Sequence, residues 1–470
     1  STLFLFFLLA LGLKLAFFFI LNQSKIYLYP DFIGELSGDS NGYLDPVDQL
    51  FETGEFYSPH RMPGYSLVYF IFSLFFNKEL SLNLLVVFQI GMSALSCMLL
   101  AHLGFLISIK RWVFKTTFIF ALFSTYLSWY DGYILTESLT ISVLVILVYV
   151  FTKYSVQKRN GIWMLLPGLL FTWLVFLRPI FFPLILLFFL IFFKEKTDWK
   201  SFAIQFIIFF SPFLIFESLW VLANYRWHHK FIPFQESFLG PSQSNVLFEP
   251  AFSFIQSWGG NYLWWEPGAH IRYFGVGTDS IAYDDKESIN FPEEIFTSQF
   301  NLDSLNLMSQ KLASLKLNKA NWDDSIFKDK ANEVYHSFGI YVNSIRDENP
   351  FLYHIGARVS LVKQFLFTSK GRNPFYIIDF PYRDTFIRIK STSYILTLFL
   401  VYCSAIVLLL FVIKQPYYLL IVGIIWYTLL IHPVILRIIE NRYLLPSYSF
   451  LILAIVLASF EILKFYRLGK

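Results

Sequence analysis

Residues 2–21 read TLFLFFLLALGLKLAFFFIL, a run of twenty residues in which Lys14 is the only charge. A helix rises about 1.5 Å per residue, so this run would reach roughly 30 Å, the thickness of the hydrocarbon core of a bilayer. A cleaved signal peptide is the alternative, but the run is long for one and Asn22-Gln23-Ser24 is a poor small-residue cleavage site. The run therefore predicts a helix that spans a membrane.

Apolar runs of this kind recur along the chain. Apolar residues make up 56% of the 470 residues, aromatic residues 21% and charged residues only 15%, which excludes a water-soluble globule and a disordered chain. The net charge of +4 is too small to indicate a nucleic-acid partner. The sequence thus predicts an all-α polytopic membrane protein with about ten transmembrane helices. The predicted spans lie near 2–21, 80–107, 113–130, 134–152, 162–177, 179–193, 201–224, 391–413, 416–432 and 444–463.

Lysine and arginine residues orient these spans. Under the positive-inside rule, the short loops and the tail that carry them are cytoplasmic, and with ten spans they fall on the same side as the N-terminus. Both termini are therefore predicted to be cytoplasmic, and the polar segments 23–79 and 225–390 are predicted to lie outside. The basic residues concerned are Lys110, Arg111, Lys153, Lys158, Arg159, Lys194, Lys196, Lys200, Lys464, Arg467 and Lys470.

The polar segments also divide the chain into three predicted domains. Residues 1–224 form an N-terminal transmembrane module, which includes a first outer loop over 23–79. Residues 225–390 form an outer, periplasmic soluble domain of mixed character, because a polar stretch of this length is too long for a simple loop. Residues 391–470 form the C-terminal transmembrane helices.

The second half of the outer domain is predicted to be helical. Asp323-Asp324 is suited to begin a helix, and Asn349-Pro350 is suited to stop it. Residues 351–367 predict another helix, which leads back towards the membrane.

Several kinds of chemistry have no support in the sequence. There is no phosphate loop of the form GxxxxGK[ST], no G-x-G-x-x-G after a strand, and no HExxH or CxxC motif. Cys97 and Cys403 both lie inside apolar runs, so neither a disulfide framework nor a cysteine metal site is predicted. An ATP-driven pump and a nucleotide-sugar enzyme are therefore disfavoured, and any chemistry is expected at the outer face of the membrane.

Four polar motifs fall at the predicted outer ends of the spans. Each is short, and together they place carboxylates, arginines and tyrosines on one side of the membrane. The motifs are Gly38-Asp39-x3-Tyr43 with Arg61-x-Pro63-Gly64-Tyr65, Thr136-Glu137-Ser138-Leu139, Arg178-Pro179, and Arg437-x4-Arg442-Tyr443-x2-Pro446.

The order and spacing of these motifs resemble the GT-C glycosyltransferases. The closest resemblance is to bacterial relatives of the dolichyl-phosphate-mannose–protein mannosyltransferases and of the lipid A aminoarabinose transferases. Lys14 inside the first span and the run Asn349-Pro350-x2-Tyr353 are similar to features of the same family. The resemblance covers about 1–230 and 340–470, whereas 230–340 matches nothing in it.

The resemblance implies an integral membrane glycosyltransferase of the inner (plasma) membrane. Such enzymes transfer a sugar from a polyprenyl-phosphate donor, among membrane lipids at the outer leaflet, to a glycan, lipid or protein acceptor. The leaving group is already a stable anion, so arginines that neutralise it and a carboxylate base for the acceptor hydroxyl suffice.

The same resemblance implies roles for particular residues. Asp39 takes the position of the catalytic base, and Glu137 is the second carboxylate, assigned to the acceptor or a metal. Tyr43 and Tyr65 are placed at the acceptor. The lipid phosphate of the donor is assigned to Arg61, Arg178, Arg437, Arg442 and Tyr443.

Each of these residues also has a simpler explanation. Asp39 lies in turn-forming sequence, where an Asx-turn or a helix cap is common, and Asp45 and Asp48 are alternative carboxylates. Glu137 can cap the helix that it begins, and any single arginine can reach lipid headgroups by snorkelling. No metal site is defined; His60 and His432 are the candidate ligands if a divalent metal takes part.

Two other classes of membrane protein remain open. A transporter or flippase of lipid-linked saccharides would show paired halves and charges at the middle of its spans, whereas the motifs here lie at span ends. A saccharide polymerase also has many spans and a large outer loop, but a motif such as that of Asp39 directly after the first span argues against it.

Overall fold

A computed structural model describes residues 2–21, 32–157, 161–195, 198–236, 248–260, 274, 291–318, 322–367, 402–412 and 415–468. Within these ranges the chain is helical, and its only β-type pairings are isolated bridges. The α-helices are α1 (Thr2–Leu21), α2 (Asn41–Thr53), α3 (Ser66–Ser73), α4 (Lys78–Ser108), α5 (Arg111–Leu122), α6 (Thr125–Trp129), α7 (Thr136–Val156), α8 (Leu165–Leu177), α9 (Ile185–Glu195), α10 (Trp199–His228), α11 (Phe248–Trp258), α12 (Leu302–Asn318), α13 (Asp324–Glu348), α14 (Ala357–Phe367), α15 (Tyr402–Phe411), α16 (Pro416–Leu430) and α17 (Leu445–Leu468).

The chain divides into two compact units. The first unit comprises Ser1–Glu236, Gly371–Thr428 and Leu444–Lys470, and the second comprises Ser237–Lys370 and Leu429–Tyr443. The long apolar helices α1, α4, α7, α10 and α17 belong to the first unit.

Six of the described helices are long and apolar enough to cross a membrane, which confirms an all-α, polytopic class for the chain. The helices over 161–177, 179–194 and 402–411 are apolar but shorter. The predicted span over 391–413 falls partly outside the described residues, which include only its end. The six helices are Thr2–Ile20, Lys78–Ser108, Thr136–Val156, Trp199–His228, Pro416–Leu436 and Arg442–Arg467.

The predicted span over 113–130 differs from the structure. Helix α5 ends at Leu122 after 12 residues, and the chain then continues through the short helix α6 and a 3-10 turn over Tyr130–Gly132. The physical reason is the polar content of this stretch. The hydroxyl of Ser128 and the carboxylate of Asp131 both bond to Lys14 of α1, so the chain leaves the regular helix where these groups must face it.

Helices α4 and α7 form the centre of the first unit. Both have small or hydroxyl-bearing residues on their buried faces, which allows neighbouring helices to approach closely. One close approach is between α8 and α10, where a Cβ atom on Gly168 would lie 2.2 Å from the carbonyl oxygen of Phe209. Only glycine fits this position.

In the second unit, α11, α12 and α13 enclose an apolar core around Phe254, Phe338 and Leu305. The predicted helix after Asp323 is confirmed: α13 begins at Asp324 and ends at Glu348, directly before Asn349-Pro350. The predicted helix over 351–367 is also confirmed, as a π-helical turn over Leu352–Gly356 that continues into α14.

Candidate functional site

The first predicted motif folds into a half-buried ion pair. The carboxylate oxygen Oδ1 of Asp39 lies 2.8 Å from Nη2 of Arg61, and the two side chains are 13% and 22% exposed. The guanidinium group of Arg61 also lies over the ring of Tyr43, 5.2 Å from its centre. Because Asp39 precedes α2 and Arg61 follows it, the fold brings two separate polar stretches together.

The backbone around Asp39 is held by the chain over 130–136. Glu35 donates its amide to the carbonyl oxygen of Gly132 and accepts from the amide of Ile134, both at 2.9 Å. The hydroxyl of Ser40 donates to the carbonyl oxygen of Ile134 at 2.8 Å and accepts from the amide of Ser37. The segment that carries Asp39 is therefore fixed against the start of α7.

A second ion pair joins Glu137 to Arg178. Glu137 lies in the first turn of α7 with its side chain 1% exposed, and Nη2 of Arg178 donates to its Oε1. Nε of Arg178 donates to the hydroxyl of Thr136 at 2.8 Å. Arg178 precedes Pro179 and has an extended backbone, as residues before proline usually do, so α8 ends there and the side chain turns towards α7.

Two tyrosines connect the two ion pairs. The rings of Tyr43 and Tyr65 lie 5.1 Å apart, and the hydroxyl of Tyr65 donates to Oε1 of Gln89 at 2.7 Å. Burial raises the pKa of Tyr65 well above its usual value of 10, and Tyr43 and Glu137 raise it further. Tyr65 is therefore a neutral hydroxyl that lies close to Tyr43 and to the carboxylate of Glu137.

The loop before Tyr65 packs tightly on the end of α8. The amide of Gly64 donates to the carbonyl oxygen of Phe176 at 3.1 Å, and a Cβ atom on Gly64 would lie 2.4 Å from the carbonyl carbon of Phe176. The indole of Trp173 donates to the carbonyl oxygen of Gly64. This contact sets the distance between the loop of Arg61 and Tyr65 and the end of α8, where Arg178 lies.

A third ion pair, between Lys14 and Asp131, is more completely buried than the other two. Nζ of Lys14 lies 3.3 Å from Oδ2 of Asp131 and donates to the hydroxyl of Ser128 at 2.9 Å, and both charged side chains are almost completely buried. The hydroxyl of Ser138 donates to Oδ1 of Asp131 at 2.6 Å. The side-chain amide of Gln89 donates to the carbonyl oxygens of Asp131 and Tyr133, which links this pair to Tyr65.

The remaining predicted site residues belong to the second unit. Nε of Arg442 lies 2.7 Å from Oε1 of Glu440. The ring of Tyr443 stacks on that of His432, with 4.2 Å between their centres. Arg437 lies over the ring of Tyr353 at 4.5 Å.

The alternative carboxylates and metal ligands lie elsewhere. Asp45 is exposed on α2, and Asp48 pairs with Lys78 and accepts from the hydroxyl of Tyr69. His60 and His432 belong to different units. In the described ranges, no group of three or more His, Cys, Asp or Glu side chains is arranged to hold a metal ion.

Six of the predicted residues thus form one cluster in the first unit: Asp39, Tyr43, Arg61, Tyr65, Glu137 and Arg178. Sequence reasoning missed Gln89 and Asp131, which support this cluster. A signal for Gln89 was present, since an amide inside an apolar run usually faces other protein groups.

No known protein family has a model that matches this chain, and neither a curated protein nor a solved structure is significantly similar to it. Its function is therefore argued from the cluster itself.

Proposed function

We propose that the chain is an integral membrane glycosyltransferase of the inner (plasma) membrane. It would transfer a sugar from a polyprenyl-phosphate donor to an acceptor at the outer face. The observation that carries the proposal is the cluster in the first unit. There, the pairs Asp39–Arg61 and Glu137–Arg178 are joined through Tyr43 and Tyr65 at the ends of apolar helices.

The cluster contains the groups that this transfer requires. The carboxylate of Asp39 accepts the proton of the acceptor hydroxyl, whose oxygen bonds to the anomeric carbon of the sugar. The bond between that carbon and the phosphate oxygen breaks, and its electron pair leaves with the polyprenyl phosphate. Arg61 holds one oxygen of Asp39 and thereby fixes the orientation of the base.

Arg178 is our candidate for the contact with the donor phosphate in this unit. A guanidinium group carries five N–H donors in a planar fork, which suits a phosphate. Glu137 and Thr136 hold the side chain in place, so we assign Glu137 a positioning role. The assignment of Arg437, Arg442 and Tyr443 to the donor, and of Tyr43 and Tyr65 to the acceptor, stays a prediction.

The direct test is transfer by the purified full chain. Polyprenyl-phosphate aminoarabinose and polyprenyl-phosphate mannose, each labelled in the sugar, would be incubated with lipid, glycan and protein fractions of the membrane. We expect labelled acceptor and an equal amount of released polyprenyl phosphate. Movement of intact donor across liposomes without release of the phosphate would identify a transporter or flippase instead, and growth of a glycan chain only from lipid-linked oligosaccharides would identify a polymerase.

The orientation is a separate prediction. Lys110, Arg111 and Lys153 lie at or near helix ends, and under the positive-inside rule they predict that these ends and both termini are cytoplasmic and that the second unit is outside. In a variant without Cys97 and Cys403, a cysteine at the exposed position Asn332 is expected to react with an impermeant maleimide in intact cells. A cysteine at Gln157 should react only after permeabilisation, and the reverse pattern would contradict the topology and the proposed side of the site.

A further inference from the structure

Two arginines of the second unit converge on a single carbonyl oxygen. Nη1 of Arg358 donates to the carbonyl oxygen of Tyr353 at 3.1 Å, and Nη2 of Arg437 approaches the same oxygen at 3.5 Å. Arg358 also donates to the carbonyl oxygens of His354 at 2.8 Å and Val434 at 3.1 Å. The two guanidinium groups are therefore close neighbours, although 78 residues separate them in the sequence.

The position of Arg437 is fixed from two sides. Its backbone has a left-handed conformation, with φ of 53°, directly after the π-helix Ile431–Leu436, and its carbonyl oxygen accepts from the side-chain amide of Gln256 at 2.6 Å. Its guanidinium group lies over the ring of Tyr353, 4.5 Å from the centre. A left-handed backbone is unfavourable for residues other than glycine, so glycine would suit this position better than arginine does.

Within the described ranges, the pair has positive charge without an acidic partner. Arg61, Arg178 and Arg442 each lie against a carboxylate, whereas no carboxylate of the described ranges pairs with Arg358 or Arg437. Burial lowers the pKa of Arg437, and the nearby charge of Arg358 lowers it further. Both effects disfavour the charged form of Arg437, and a bound anion would relieve them, because it would neutralise part of the positive charge.

Hydrogen bonds to the backbone explain only half of this arrangement. The three hydrogen bonds of Arg358 go to carbonyl oxygens within the π-helical turns Leu352–Gly356 and Ile431–Leu436, and they account for its side chain. Arg437 makes one long hydrogen bond, to an oxygen that Arg358 already uses, and a guanidinium has five N–H donors. Its remaining donors are suited to a planar, bidentate acceptor such as a phosphate.

We propose that Arg358 and Arg437 form a binding site for the phosphate group of an anionic ligand. The phosphate can belong to a lipid headgroup or be free in solution. Arg437 directly follows the apolar helix Pro416–Leu436, which favours a headgroup as the source. The site is argued from the second unit alone and rests on the proposed function only where its headgroup is that of the donor, to which Arg437 is assigned above. Its test measures lipid binding, so its failure is distinguishable from a failure of sugar transfer.

The test uses the purified full chain in detergent, with phosphatidylglycerol and inorganic phosphate as the probes. Binding of the lipid is counted by native mass spectrometry, with diacylglycerol as the lipid that lacks a phosphate. The variants are Arg437→Gly, Arg358→Gln and, as a matched control, Arg346→Gln, which changes an exposed arginine of the same unit. Arg437→Gly removes the guanidinium but suits the left-handed backbone, so it is expected to melt no lower than the wild type.

We expect the affinity for phosphatidylglycerol to fall about 10-fold or more in Arg437→Gly and Arg358→Gln, the effect of losing a charged hydrogen bond, and to stay unchanged in Arg346→Gln. If instead only inorganic phosphate stabilises the wild type and fails to stabilise the two site variants, the site exists and free phosphate is its ligand. Equal binding of both probes by all four proteins would overturn the proposal.

Discussion

Replacement of Asp39 by Asn is expected to lower the rate of sugar transfer by about 10²–10⁴-fold, because asparagine keeps the size of the side chain but cannot accept the proton of the acceptor hydroxyl. The pair of Asp39 and Arg61 is half-buried, and asparagine can still accept a hydrogen bond from Arg61, so the change should lower the free energy of unfolding by at most about 1–3 kcal/mol. The rate is to be measured at saturating donor and acceptor, beside a thermal melt.

The matched control is Asp45→Asn, which removes an exposed carboxylate of the neighbouring helix α2. It should keep full activity. If Asp39→Asn transferred sugar within a few fold of the wild type, while a bulky substitution at Asp39 abolished transfer, then Asp39 would only shape the turn before α2. The base would then have to be sought at Asp45, Asp48 or Glu137.

The second large effect is expected at the deep ion pair. Lys14→Met should destabilise the first unit by about 3–5 kcal/mol, because it leaves the carboxylate of Asp131 buried without its cation. Replacing both partners, as Lys14→Met with Asp131→Asn, should cost less than the sum of the two single changes, since no unpaired charge remains. This expectation is independent of any enzymatic activity.

Thermal melting of the four proteins forms a double-mutant cycle that measures the coupling directly. Leu9→Met is a suitable control, since it places methionine at an exposed apolar position of the same helix. Two outcomes would contradict the coupling. In the first, Lys14→Met melts at the same temperature as the wild type. In the second, the stability lost by the double variant equals the sum of the losses of the two single variants. Either result would show that the pair does not support the cluster.

Much of this fold is predictable from hydropathy, because each long apolar run forms its helix through local hydrogen bonds. The start of α7 at Thr136 and the stop of α13 before Asn349-Pro350 are local signals of the same kind. A break near 131–133 was predicted, but the end of the helix at Leu122 was not. Its cause lies in Lys14, more than a hundred residues away, and pairings at such a separation leave no local pattern.

The candidate site, too, was predictable in its single residues but not in their pairing. Asp39, Arg61, Glu137 and Arg178 could be selected one by one as polar groups at span ends, but their pairing as Asp39–Arg61 and Glu137–Arg178 follows only from packing. Gln89 and Arg358 were missed because their partners are backbone carbonyl oxygens, which any residue type can supply. The partners of Gln89 and one of the three partners of Arg358 also lie in distant segments.

The buried pair of Lys14 and Asp131 also has a consequence for biosynthesis. The two residues are 117 positions apart, so at ordinary translation rates the ribosome makes Asp131 on the order of ten seconds after Lys14. A lysine at the centre of a transmembrane helix opposes insertion by about 2.5–3.5 kcal/mol. The surrounding leucines and phenylalanines of α1 offset this cost, because each of them favours insertion by a smaller amount. Helix α1 would thus keep a net preference for the membrane, and its buried lysine would gain its charged partner only when the nascent chain delivers Asp131.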